Sequence, residues 1–453
     1  MFVAMLVYLV LVLIRPQDYP AMVDANLLPW QPVALIVAAL FWLLSVRKRF
    51  DAPQYLLLVA FFLVLMFSHV VNGWFGGALE QLNKFAPTVL AFVVLANATD
   101  TRRRVRVVMG MFATCAAVLA LHGIEQVQTG VGWTGIGLSQ ETRIQYVGIF
   151  NDPNDLGMLF VICLPMAVYL ARSTGWSRLL WWLVAGTIVY GIVLTDSRGT
   201  LLAALALLGV YTWWRRGTLF AGALGAAALA VLMALPSRVQ EEGLTDDSAM
   251  GRVESWYEGL QMFREHPLFG VGPDMYSDLY RLTAHNSFVL VLAETGIVGF
   301  TVWLAFVGYC FRMMLVALRQ PPQAVLEAVG QGGPRAEGGE PGAAPESDQD
   351  AVDQEAVDPE AVDAWFKDRA IALTLLLSLT GCFVAAFFLS RSYVVILYLL
   401  TALVVAHYGA MRRQDDALPA FALQADVVRW PVYAAGFVVG LYLVVKVMLA
   451  VGG

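Results

Sequence analysis

Charge and cysteine are both scarce in this chain. Of its 453 residues only 14% are Asp, Glu, Lys or Arg, while 59% are hydrophobic, and the mean hydropathy is +0.67. That composition excludes a soluble domain, whose surface needs far more charge. The four cysteines, Cys115, Cys163, Cys310 and Cys382, each stand alone inside an apolar run, which excludes a disulfide framework and argues against a thiolate metal site. Glycine-rich pieces such as "GVGWTGIG" (130–137) lack the flanking strand and helix of a nucleotide fingerprint. Neither a metal nor any other cofactor is expected.

Long apolar runs are what the chain has in abundance. About 20 residues at 1.5 Å rise cross the hydrocarbon of a bilayer as helix. Runs near 1–14, 31–46, 54–70, 85–98, 105–121, 156–171, 178–195, 199–214, 218–235, 286–317 (with a break near Gly296), 369–389, 392–410 and 431–450 predict an all-α polytopic membrane protein with about 12–13 transmembrane helices. The first run has no basic leader and ends in Arg15-Pro16-Gln17 rather than a small-residue cleavage site, so it reads as an anchor.

Basic residues orient the bundle, because loops rich in Lys and Arg stay cytoplasmic. With the N-terminus inside, Arg47-Lys48-Arg49, Arg102-Arg103-Arg104, Arg215-Arg216 and Arg412-Arg413 all fall on the cytoplasmic side. Residues 321–364 differ in kind, being rich in Gly, Pro, Ala, Asp and Glu with the short repeat "AVDQEAVDPEAVDAW". They predict a disordered acidic cytoplasmic linker between a bundle at 1–320 and further helices of that bundle at 365–453. Its eleven acids against Arg335 give it −10, so with the whole chain at −6 the remainder carries about +4. The acidic balance therefore belongs to the linker, and no nucleic-acid partner is implied.

Two long loops face the other side, at 122–155 and 236–285. In the second, "GRVESWYEGLQMF" spaces Val253, Trp256, Tyr257, Leu260 and Phe263 as one helical stripe, predicting an amphipathic helix on the membrane surface or capping the bundle. Pro267, Gly270, Gly272 and Pro273 then end it. The same outer face holds Arg143, Arg198, Arg252, Arg281, Arg391 and His285. Arg198 and Arg391 sit at the edges of apolar spans, where an unsatisfied charge costs roughly 2.5–3.5 kcal/mol. Guanidinium forks match phosphate oxygens bidentately, so several arginines converging at the outer leaflet suggest a lipid diphosphate. A diphosphate is already a good leaving group, and what remains is to take a proton from an attacking hydroxyl, a task that suits an imidazole.

At these residues a family resemblance emerges. "GIFNDPNDLGMLF", "LTDSRGTLLA", "GRVESWYEGLQMFREHPLFGVGPDMY" and "AHNSFVLVLAETGIVGF", in this order over roughly residues 145–410, resemble the bacterial O-antigen ligase and polymerase superfamily. The resemblance implies two arginines holding undecaprenyl diphosphate and a histidine acting as metal-independent base of an inverting transfer. By motif these roles fall on Arg198, Arg252 and His285. The opening "LVYLVLVLIRPQDYP" is similar to a subgroup of O-glycosylation ligases associated with exosortase systems. The acidic linker is no part of the family pattern.

Each role has a plainer competitor. His285, with Asn286, could simply cap the following helix; Arg198 could be a snorkelling anchor; Arg252 could be a solvated loop residue. Arg391 and Arg143 join the diphosphate-binding set by position. Asp152 and Asp155 lie in "NDPNDLG", which reads first as a turn and helix cap, with orientation of an arginine or of the acceptor as the alternative. Glu294 either tunes His285 or satisfies a neighbouring helix. His69, His122, His266 and His407 have no comparable context.

The expected protein is thus a multi-pass glycosyltransferase of the bacterial inner membrane with its active site facing the periplasm. Its partners are an undecaprenyl-diphosphate-linked glycan donor, membrane lipid, and a glycan, lipid A core or protein acceptor. The acceptor decides between ligase, polymerase and protein O-glycosylation ligase. A lipid-linked sugar flippase is the competing class, although such proteins show internal repeats and mid-membrane charges, and here the cations gather at one face.

Overall fold

The computed structural model describes residues 1–24, 29–234, 249–319, 359–415 and 418–452, and among them helix is the only extended secondary structure. In chain order the helices are α1 (Phe2–Leu13), α2 (Pro20–Asp24), α3 (Trp30–Leu43), α4 (Pro53–Val71), α5 (Phe75–Ala98) and α6 (Arg102–Thr129). There follow α7 (Pro153–Ser173), α8 (Arg178–Leu194), α9 (Arg198–Arg216), α10 (Thr218–Ala234), α11 (Ala249–Glu265), α12 (Tyr276–Leu279) and α13 (Ser287–Arg319). The last three are α14 (Pro359–Ala386), α15 (Val395–Arg412) and α16 (Arg429–Gly452). Every apolar run singled out above coincides with one of these helices. Among the described residues eight helices are long and apolar enough to cross a membrane, and α3, α8 and part of α10 are shorter apolar helices. The chain is an all-α multi-pass membrane protein.

Some boundaries differ from expectation. α6 continues to Thr129 before Gly130 ends it, and α7 opens at Pro153, so the first of the two long loops is 130–152 rather than 122–155. Of the second loop, residues 236–248 lie outside the described residues and 249–265 are helix. The acidic linker lies outside the described residues as far as 358, and residues 359–364, expected as linker, are helical in α14.

α13 is the central helix, packed against α4, α11, α14, α15 and α16. Its Phe300, Trp303 and Tyr309 are fully buried among rings of neighbouring helices, with Trp303 against Phe383 at 5.9 Å and Phe300 against Phe437 at 5.4 Å. α15 is deep in the bundle, 83% of its span being buried, whereas only 17% of α16's is. α16 therefore lies on the outside of the bundle.

The break expected near Gly296 is real. Gly296 has φ 61 and ψ −165 inside α13, and a break in the hydrocarbon region must have its backbone groups satisfied by protein. The segment after α11 does this. Val271 and Gly272 donate to the carbonyls of Ala293 and Glu294, both at 3.0 Å, while Ile297 and Val298 donate to Pro267 and Leu268 at 2.9 and 3.2 Å. Ser68 of α4 adds a hydrogen bond to Glu294 O at 2.9 Å. A Cβ on Gly270, at φ +69, would lie 2.3 Å from the backbone of Glu294, so only glycine fits there. α11 is thereby held against α13 and α16 with Val253, Trp256 and Leu260 buried. Tyr257, expected in that stripe, is 41% exposed on the other face of the helix.

Basic helix ends gather at one end of the bundle. Arg104 and Arg49 pair with Asp100 at 2.7 and 3.6 Å, Arg413 donates to its carbonyl at 3.0 Å, and Arg102 pairs with Asp368 at 2.6 Å. The opposite end opens into a cavity.

Candidate active site

Three helices begin at the cavity end with side-chain caps. Asp152 Oδ1 accepts Asn154 N–H at 2.7 Å to start α7. Ser197 Oγ accepts Thr200 N–H at 3.2 Å to start α9. Asn286 Oδ1 accepts the amides of Phe288 and Val289 at 2.9 and 3.2 Å to start α13. Asp152 and Asn286, which sequence alone leaves open between capping and chemistry, thus do cap. The positive ends of α7 and α13 consequently open on the cavity, an arrangement that favours a bound anion.

The cavity has a volume of about 790 Å³, and Arg143, Arg252, His285 and Arg391 all line it, together with Asp152 and Glu294. His285 has φ 47, a left-handed conformation uncommon for a residue with a Cβ. Its neighbours are immobilised, with Ala284, Asn286 and Ser287 fully buried. Ser287 stitches this turn to the α14–α15 loop: its Oγ donates to Leu389 O at 2.6 Å and accepts Arg391 N–H at 2.9 Å, and its carbonyl accepts from Ser392 Oγ at 2.8 Å. That stitching sets His285 and Arg391 on one wall.

Arg391 is also clamped from α7. Its Nε and Nη2 each donate to Asp155 at 2.5 Å, and Asp155 is 2% exposed. Burial works against the guanidinium's charge, but the hydrogen bonds and charge of Asp155 outweigh it and hold Arg391 above the ordinary arginine value. Asp155 does not line the cavity; it orients an arginine that does. Arg143 is 9% exposed and spans two elements, reaching Thr195 O at 3.0 Å and Asn154 Oδ1 at 3.0 Å.

Arg198 is placed differently from expectation. It is exposed at the first turn of α9 and is not among the lining residues, unlike Arg252. Its neighbours do touch the wall: Ser197 Oγ donates to Asn154 Oδ1 at 2.6 Å, and Gly199 lies against Phe388. Arg198 therefore belongs to the rim. Arg281 is likewise exposed and off the lining.

Sequence reasoning missed the α5 side of the cavity. Gln81, Lys84 and Asp274 line it, with Gln81 Nε2 and Lys84 Nζ donating to Asp274 Oδ2 at 3.1 and 3.0 Å. Lys84 also pairs with Glu80 at 2.7 Å. The available signal was a lone lysine with Glu and Gln at the head of an apolar helix. Hydropathy starts that span at residue 85, ten residues after α5 begins at Phe75, because its first turns are polar toward the cavity. At the back of the same space Glu294 is 1% exposed, and its Oε1 accepts Tyr276 N–H at 3.3 Å. Burial pushes the Tyr276 hydroxyl well above its ordinary range, so it acts as a donor, to Ser255 O. Among the described residues no group of His, Cys, Asp and Glu forms a metal-binding cluster.

The arrangement offers fixed guanidinium groups, helix N-termini and one imidazole around a space large enough for a headgroup and a sugar. The family model described as O-antigen ligase matches residues 182–304, a stretch that holds Arg198, Arg252, His285 and Glu294. No curated protein matches the chain.

Proposed function

We propose that this membrane enzyme of the O-antigen ligase type transfers a glycan from undecaprenyl diphosphate to an acceptor hydroxyl, at the periplasmic face of a bacterial inner membrane. The observation that carries the reading is the shared cavity of Arg252, Arg391, Arg143 and His285, residues far apart in sequence. Cations and helix N-termini at one place suit a diphosphate.

The chemistry follows from that placement. Arg252, with Arg143 and the unclamped N–H groups of Arg391, binds the diphosphate and stabilises charge as it leaves. Arg198 at the rim meets the phosphate nearest the opening. His285 accepts the proton of the acceptor hydroxyl as its oxygen forms the new bond to the anomeric carbon. The bond from that carbon to the diphosphate oxygen breaks with its electron pair, and the anomeric configuration inverts. Countercharge comes from guanidinium groups, so no metal is required.

The test uses purified protein in detergent with a polyprenyl-diphosphate glycan. His285→Ala is expected to lower transfer about 10²–10⁴-fold with donor binding retained. Transfer by His285→Ala at the wild-type rate would refute the assignment. Formation of a new glycosidic linkage separates an enzyme from a flippase, which returns the donor chemically intact.

A further inference from the structure

The cavity has two chemically distinct walls, and the transferase reading accounts for one. Asp152, Asn154 and the Arg391 clamp belong to α7, which packs against α6, α8, α9 and α14, whereas Gln81 and Lys84 belong to α5, which packs against α1, α3, α4 and α15. α13 touches both groups through α4 and α14, and His285, just before its first residue, lines the cavity that the two groups share. An inverting displacement needs its nucleophile on the face opposite the leaving group. A diphosphate on the arginine side therefore leaves the α5 side to the acceptor.

The α5 wall has the composition of a hydroxyl-binding surface. Lys84 lies between Glu80 and Asp274, so the group carries one positive and two negative charges and disfavours a phosphate. Both donors to Asp274 land on Oδ2, and a carboxylate offers about four lone-pair positions on two oxygens. Asp274 is exposed to the cavity, its side chain 56% accessible, and is held at φ 63. Such backbone persists where surrounding structure over-determines it, often at functional sites. Glu294 and Tyr393, which interact with each other, also line this cavity.

We propose that Gln81, Lys84 and Asp274 form the acceptor subsite, and that it takes an uncharged polyhydroxylated group, the terminal sugar of a glycan. This rests on the transferase reading for its role in catalysis, but not for its existence as a site. Asp274 accepts two sugar hydroxyls, Lys84 and Gln81 donate to sugar oxygens, and the reacting hydroxyl is presented to His285. A serine or threonine side chain of a protein brings one hydroxyl and leaves most of these groups unmatched.

The experiment measures binding of methyl α-glucoside, α-galactoside and α-mannoside to the full-length protein in detergent, by saturation-transfer NMR without donor. The wild type is expected to bind at least one of them. Asp274→Asn and Gln81→Leu should each weaken it about tenfold or more, Asp274→Glu should retain part of the affinity, and thermal unfolding of Asp274→Asn should match the wild type. No glycoside bound by the wild type, or equal binding by the variants, overturns the subsite. Binding of an acetylated, amidated Ser/Thr tripeptide in preference to every glycoside overturns the sugar assignment. Glycoside binding as predicted, with no linkage formed from donor by the wild type, would sink the transferase reading alone.

Discussion

Replacing Arg391 by methionine tests what that residue does. The substitution leaves the Asp155 carboxylate, 2% exposed, without the two 2.5 Å hydrogen bonds that compensate its burial. Removing one member of a buried pair costs about 3–5 kcal/mol, because the remaining charge stays buried and unpaired. The Arg391 side chain is 38% exposed, so water can follow it into the site, and the lower end applies, about 3 kcal/mol. Asp155→Leu combined with Arg391→Met removes both charges, and a pair replaced by apolar groups of similar size is often near neutral, so the double variant should recover about 2 kcal/mol or more. The assay is equilibrium unfolding in mixed dodecylmaltoside and SDS micelles followed by tryptophan fluorescence. The single variant should shift the unfolding constant about a hundredfold. A single variant within about 0.5 kcal/mol of wild type, inside the range of ordinary surface changes, or a double variant no more stable than the single, would show that the clamp is not what holds this wall.

Gly296→Ala meets two obstacles, a backbone conformation reserved for glycine and a Cβ 2.4 Å from Leu268 C. Together these should cost about 2–6 kcal/mol, seen as loss of the monodisperse peak on size exclusion in detergent. Ser287→Ala orphans Leu389 O and Arg391 N–H and should cost about 1–3 kcal/mol, with kcat falling more than donor KM because His285 and Arg391 lose their common tether. Arg252→Ala should raise donor KM about tenfold or more and Arg198→Ala less, since only Arg252 lines the cavity; equal effects would mean that the rim is part of the binding site proper. Transfer should persist in EDTA at the untreated rate, and its loss with recovery on adding Mg²⁺ would contradict a countercharge made of arginines.

Much of the fold was legible because hydropathy is local. A run such as 395–412 must be helix in hydrocarbon whatever its neighbours, since no other backbone arrangement satisfies its own hydrogen bonds. The ends were less legible. α5 begins ten residues before its apolar run because Gln81 and Lys84 face a cavity that hydropathy cannot anticipate. α6 runs on to Thr129 because His122 and Gln126, polar by composition, are fully buried and bonded to Thr134 and to the backbone of the loop that follows.

The candidate site divides in the same way. His285 and Arg252 were found from residue type and order, and the structure sets both on the cavity. Arg198 carried the same motif signal yet stands at the rim, because the signal says nothing of which way the first turn of α9 faces. For Asp155 the sequence left a helix cap and the orientation of an arginine both open, without naming the arginine; the structure supplies Arg391, 236 residues away, and the pair is a clamp.

The amino-acid order by itself determined an all-helical chain in a bilayer, its basic end, its broken central helix, and the residue types that gather beyond the opposite end. Which of those residues share a space was decided only by tertiary packing. Apolar periodicity fixes where a helix runs, whereas the meeting of α5, α7, α11 and α13 depends on contacts between segments hundreds of residues apart, whose partners no local pattern names. The Gly296 break shows both parts: glycine permits it, and the turn from Pro267 to Gly272 is what fills it.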